Sequence, residues 1–149
     1  MSASNNFERF KKACMRWKKI FKLDDYTFIF TKFDDEVINK KNSSLDQSKS
    51  SNFIICSTVD TSTEYRYAII EVHENSFDDA SNKNIDNKAC HEVMHVLMAP
   101  YANISWKLLQ ELPSQERKVY KKWRKSEEEE FTSRLADIIC SLKKTQRSK

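Results

Sequence analysis

The chain has 149 residues, 39% of them hydrophobic and 11% aromatic, which suits one domain, 1–149, with its own core. Its net charge is a mild +4, and no apolar run approaches the roughly 18 residues that a membrane span needs. Met1–Phe7 lacks the basic-then-apolar order of a secretory leader, so the expectation is a cytoplasmic protein that makes no membrane contact.

Phe7, Phe10, Cys14, Trp17 and Phe21 recur at helical spacing with Lys and Arg between them, which predicts an amphipathic N-terminal helix. Tyr26–Phe33 is aromatic and β-branched and reads as a strand. A polar connection covers about 39–52. Phe53–Val59 and Tyr65–Val72 follow as two more strands, and the short polar link between them predicts a hairpin. Ser76–Asp86 reads as a polar loop. Next comes a helix around His91 that is expected to stop near Pro100, then a short helical piece containing Trp106, Leu108, Leu109 and Leu112. Arg117–Lys125 reads as a helix with Val119, Tyr120 and Trp123 inward. A last helix, about Glu127 to Lys144, has Phe131, Leu135, Ile138, Ile139 and Leu142 as its apolar face, and the basic tail, about 143–149, is expected to fray. The fold class is therefore α+β: a helix, a three-stranded sheet, then helices.

Cys14, Cys56, Cys90 and Cys140 are scattered among apolar neighbours with no C-x-x-C pair, which predicts small buried hydrophobes and no cysteine-based metal site. Glycine is absent, so positive-φ positions are expected on Asn, Asp or Lys; Asn39, Asn42, Asn82 and Asn84 lie in the presumed loops.

His91-Glu92-Val93-Met94-His95 is one copy of H-E-x-x-H inside a helical stretch. Residues four apart share a helix face, so both imidazoles can reach one cation. Glu92 sits beside the first of them, close enough to serve a metal-bound water. The pattern predicts one zinc ion per chain, with Glu92 as general base. A catalytic zinc site usually has three protein ligands. A third histidine six residues after His95 is excluded, because Tyr101 stands there, and His73, at a strand end, is expected to be solvated. The run Glu127–Glu130 is the better source. If Phe131, Leu135, Ile138 and Leu142 face inward, Glu128 falls on their stripe and Glu127 is next best. Ser126 and Glu129 have the spacing of a capping box, which would occupy Glu129 at a helix start.

With these residues the chain resembles a group of small zinc metallopeptidases encoded by bacteriophages and prophages, gluzincin-like zincins distantly similar to SprT-like and ImmA/IrrE-type proteases. The likeness runs from Trp17 to about Leu142. It rests on Leu23-Asp24-Asp25-Tyr26-Thr27 after the Trp-bearing helix, on Tyr67-Ala-Ile-Ile70, on Ala89–Pro100 and on Glu128-x-x-Phe131-x-x-x-Leu135. The resemblance implies a zincin-like fold acting in the cytoplasm of a host cell. It implies His91, His95 and Glu128 as ligands, Glu92 as the catalytic acid/base and a protein or peptide as substrate. The chain lacks the zinc ribbon of SprT-like proteins and the helix-turn-helix of repressor-cleaving relatives. A substrate peptide is expected to add to a sheet edge at Tyr65–Val72, with Tyr101 and Tyr120 as candidate oxyanion donors.

Two other readings compete. One is a non-catalytic protein stabilised by zinc that binds a host protein; an intact Glu92 argues against it. The other is a nucleic-acid binder using the seven basic residues of Arg9–Lys22 and the six of Arg117–Lys125. It is disfavoured if Trp17, Tyr120 and Trp123 are core residues.

Overall fold

The computed structural model describes residues 3–33, 57–73 and 81–147. The expected polar connection at 39–52, the segment Phe53–Cys56, positions 76–80 of the expected Ser76–Asp86 loop, and Asn39 and Asn42 lie outside them; from Asn82 on, that expected loop is already helix. The order of elements is α1 (Ala3–Ile20), β1 (Thr27–Phe33), β2 (Ser57–Ser62), β3 (Tyr67–His73), α2 (Asn82–Gln110) and α3 (Ser114–Arg147). This is a small α+β domain with three helices and a three-stranded mixed sheet. No described helix is long and apolar enough to cross a membrane.

α1 buries Phe10, Ala13, Cys14 and Trp17, with Phe7 and Phe21 packed partly against them. It closes without glycine. Lys22 takes φ 55°, its N–H bonds Lys19 O at 3.2 Å, and Leu23 N–H reaches back to Lys18 O at 3.0 Å. This is a Schellman closure with lysine at the left-handed position. The second positive φ falls on Arg66, at 53°, in the turn between β2 and β3, a residue type the sequence does not point to. Asn82 and Asn84 lie in the first turn of α2, and the Ser81 side chain caps it by accepting from Asn84 N–H at 3.3 Å.

The sheet order is β1-β3-β2. β3 runs parallel to β1, from Thr27↔Tyr67 to Phe33↔His73, and antiparallel to β2, from Ser57↔Val72 to Ser62↔Tyr67. The hairpin expected from the short link is present, but β2 extends three residues past Val59, because Asp60, Thr61 and Ser62 pair with Ile69, Ala68 and Tyr67. Backbone pairing, not apolar content, sets that boundary. Ala68, Ile70 and Val72 of β3 enter a core shared with α1, α2 and α3.

The helical half is simpler than its sequence suggests. α2 continues through Pro100 for another ten residues and absorbs the expected separate piece. A proline inside a helix removes one backbone hydrogen bond, yet Ala99 and Leu109 on either side of it are buried. α3 is likewise one helix of 34 residues with no break near Ser126, and it stays helical through Arg147, into the tail expected to fray. A three-residue link joins α2 and α3 as an antiparallel hairpin. Arg117 of α3 fastens it, donating to Gln110 O at 2.8 Å and Leu112 O at 2.9 Å.

The inward face of α3 also differs. Thr132, Ala136 and Cys140 are buried, whereas Phe131, Ile138 and Leu142 are exposed, as are Val119, Tyr120 and Trp123. The buried stripe is rotated by one residue from the one that the large apolar side chains suggest. Small residues let α3 approach α2 closely; Phe131, Ile138 and Leu142 stay outside, while Leu135 and Ile139 are half-buried as expected, Ile139 against the core. Cys14, Cys90 and Cys140 are buried thiols not joined in disulfides, and burial pushes the thiols of Cys14 and Cys90 above their ordinary range. At the junction of the three helices, Trp17 Nε1 donates to Asp86 Oδ1 at 2.7 Å. Arg16 also pairs with Asp86, and Lys143 Nζ lies 4.1 Å from the centre of the Trp17 ring. This joint sits one helical turn before Cys90 and His91, and so holds the start of the H-E-x-x-H segment against α1 and α3.

Candidate metal centre

His91 and His95 stand on the face of α2 that looks toward α3. Their rings meet edge to face, with centroids 4.7 Å apart and Nε2 atoms 3.1 Å apart. Two nitrogens at 2.0–2.1 Å from one tetrahedral zinc ion would be separated by about 3.3 Å, so the imidazoles already have the spacing of a shared cation. His91, Glu92 and His95 form the group among the described residues whose ligand atoms lie within 4.8 Å of one another.

The carboxylate that approaches from α3 is that of Glu129. Its Oε2 lies 3.6 Å from His91 Nε2 and its Oε1 3.6 Å from His95 Nε2. Glu128, expected as the third ligand, instead pairs with Arg124 at 2.9 Å, one turn earlier on the same helix. Glu127 is exposed, and Glu130 pairs with Arg134 at 2.6 Å. The physical reason is the rotated stripe: Glu129 lies three residues before Thr132 and seven before Ala136, on the face that α3 turns to α2. The capping box with Ser126 does not form, because Ser126 is inside the helix. The signal available in the sequence was the small-residue series Thr132, Ala136, Cys140, which a reading by large apolar residues passes over.

Further groups complete the surroundings. Ser133 Oγ is 3.5 Å from His91 Nδ1. A hydroxyl there can accept from Nδ1–H in the tautomer that leaves the Nε2 lone pair for a cation. Glu92 is only 5% exposed; a carboxylate oxygen lies within 4.8 Å of the imidazole nitrogens, and its Oε1 accepts from Ser57 Oγ at the start of β2. The two imidazoles beside it hold the Glu129 carboxyl well below the usual carboxylate range, against the opposing effect of its burial. For His95, burial alone would lower the imidazole, but the hydrogen bond and charge of Glu129, aided by Glu92 and Glu128, outweigh it, and the net shift is upward. Glu129 is thus a fixed negative charge facing two nitrogen donors, a set that suits zinc.

Other residues singled out in the sequence stand elsewhere. Tyr101 follows His95 by six residues, about 240° around the helix at 100° per residue, and points to solvent. Tyr120 precedes Glu129 by nine residues, on the opposite face of α3. Neither is brought to the site. His73 is buried, not solvated, with its ring edge-on to Phe33 at 5.5 Å. β3 cannot offer an edge to a peptide, because both its sides are paired. The strand beside α2 is β2, tied to it by the Ser57–Glu92 bond and by Asn103 Nδ2 donating to Thr63 Oγ1 at 2.8 Å. Among the described residues β2 pairs on one side only.

No family model, curated protein or solved structure matches this chain.

Proposed function

We propose that this chain is a zinc-dependent metallopeptidase that hydrolyses peptide bonds of a protein or peptide substrate. The carrying observation is the convergence of His91 Nε2, His95 Nε2 and the Glu129 carboxylate, with the buried carboxylate of Glu92 next to them. The donor set fits the ion: two neutral nitrogens and one carboxylate leave a fourth tetrahedral position open. When bound, zinc supplies Lewis acidity toward the scissile carbonyl and a water acidic enough to react at neutral pH.

Everything else falls to the chain. Glu129 balances charge and closes the ligand triangle from α3. Ser133 orients His91 through Nδ1. Glu92 takes the proton of the attacking water on a carboxylate oxygen and returns it to the leaving amine. Ser57 holds Oε1 of that carboxylate, which leaves Oε2 for the proton. A peptide adding antiparallel to the side of β2 that is unpaired among the described residues lies along α2 at the height of Glu92.

The ligand assignment is tested by zinc content and by competition with a chelator. Wild-type protein is expected to bind one zinc per chain. Glu129→Ala is expected to weaken binding by about a hundredfold or more, since a structural zinc site gains roughly 10–16 kcal/mol from about four ligands. Ser133→Ala removes only an outer partner and is expected to cost about tenfold. Glu128→Ala breaks a half-exposed ion pair with Arg124, worth about 1 kcal/mol or less of stability, and leaves zinc in place. A larger loss at Glu128 than at Glu129 would return the third ligand to the other side of α3. Wild-type protein that takes up no zinc refutes the reading.

A further inference from the structure

The row of α3 that carries Glu129 does not end at the metal ligand. Lys125 and Lys122 precede Glu129 by four and seven residues, which sets them within about 40° and 20° of it around the helix and about 6 and 10 Å from it along the axis. Both are exposed, and neither has a hydrogen bond, ion pair or ring contact among the described residues. Lys118, a further turn out on the same row, already has a partner. The other basic groups nearby serve the fold: Arg117 bonds carbonyls at and just past the end of α2, and Lys121 and Arg124 lie over the Trp106 ring at 5.0 and 5.6 Å.

Because α3 runs antiparallel to α2, the two lysines stand level with the second half of α2. Arg124, between them in sequence, reaches Ala102 O at 3.4 Å. β2 is level with the same stretch through Asn103 and Thr63, and at its other end Ser57 meets Glu92. The wall that β2 turns to the helices is uncharged: Ser57, Val59 and Thr63 are on it, and by alternation Asp60 is on the other face. A chain that follows β2 away from Glu92 therefore passes between an uncharged strand and Lys125 and Lys122.

We propose that Lys122 and Lys125 make the site selective for acidic peptides, with Asp or Glu two and three residues N-terminal to the cleaved bond. This rests on the metallopeptidase reading and on strand addition to β2. β2 runs from the level of Glu92 to that of Asn103, so an antiparallel substrate runs the opposite way and lays its N-terminal part beside the lysines. An extended chain rises about 3.4 Å per residue, so the two offsets along α3 correspond to about two and three residues. Lysine suits the task, since its flexible stem carries a compact charge to either side of a pleated chain.

The test uses a degenerate peptide library in two halves. One is cleaved by the zinc-loaded parent and aligned on the new termini by mass spectrometry. The other is passed over immobilised, zinc-loaded Glu92→Gln protein, which reads binding without hydrolysis. Asp and Glu are expected at the two positions about tenfold above input, since one exposed ion pair contributes up to about fivefold. Retained peptides are expected to be rich in the same residues, and both preferences should shrink toward about 1 M salt, where the Debye length is about 3 Å. Joint reversal by Lys122→Glu and Lys125→Glu is expected to turn both preferences toward Lys and Arg, with zinc content and thermal unfolding unchanged. Lys12→Glu with Lys19→Glu, the same charge change on exposed positions of α1, is expected to leave both as in the parent. Cleavage without acid preference at those positions overturns the proposal and leaves the peptidase reading standing. So does a preference that survives the reversal on α3 or is lost equally by the reversal on α1. A parent that cleaves nothing overturns the peptidase reading instead. Retention of acidic peptides that depends on Lys122 and Lys125 would then still support an acid-binding face, and retention without it would remove that face too.

Discussion

Glu92→Gln is expected to keep one zinc per chain and the fold of the parent while lowering peptide hydrolysis by about 10²–10⁴-fold, the range of a lost general base. The side chain is almost fully buried and its Oε1 accepts from Ser57. Glutamine fills the same volume and keeps a carbonyl oxygen for that hydroxyl, so the packing between α2 and β2 survives. What it cannot do is take a proton at neutral pH. Zinc should stay because His91, His95 and Glu129 supply the ligands and the Ser57 bond keeps residue 92 in place. The measurement is cleavage of a degenerate peptide library by zinc-loaded parent and variant, read by mass spectrometry, beside metal analysis of both. Equal cleavage would assign the base elsewhere. Loss of zinc in the variant would make Glu92 a ligand and not a base.

His95→Ala is expected to abolish stoichiometric zinc binding. One of about four ligands to a site worth roughly 10–16 kcal/mol carries about 3 kcal/mol, or about 10²-fold in affinity. Glu129 then has His91 alone. The metal-free proteins should differ as well, and in a pH-dependent way. The His95 imidazole has its pKa raised from an ordinary 6.5, so its contribution to stability is fully present below 6.5 and is lost as pH rises through the folded value. The Glu129 carboxyl is lowered from an ordinary 4.5, so its contribution is present above 4.5 and is lost as pH falls toward its depressed value. Parent and His95→Ala should therefore differ most in thermal stability, without metal, between those two limits. Zinc affinity runs against this trend, since the ion must displace the proton on His95, and it should weaken as pH falls through neutrality. A stability difference that grows steadily above pH 7 in metal-free protein would contradict the His95–Glu129 pairing.

Much of the helical and strand content was legible because it depends on local period. The stripe of α1, the strand Tyr26–Phe33 and the hairpin follow from side-chain order alone. So does the His91–His95 pair, since four residues along one helix always bring two side chains to the same face. The breaks expected at Pro100 and near Ser126 are absent for the converse reason. A proline, or a serine before glutamates, is a local stop signal worth a kcal/mol or a few. Packing along two long antiparallel helices overrides it.

The amino-acid order by itself determined the pair of imidazoles, the carboxylate of Glu92 beside them, the α+β class and the position of the basic segments. Only the tertiary structure decided which side of α3 meets that pair. Burial of Thr132, Ala136 and Cys140 allows a close approach to α2, which brings Glu129 to the histidines and leaves Phe131, Ile138 and Leu142 outside. The same docking exposes Tyr120 and Trp123, and long-range pairing puts β3 at the centre of the sheet and β2 beside α2. A helix with apolar residues on more than one face does not state which face will be buried. That choice belongs to shape complementarity with a partner distant in sequence, and no local period encodes it.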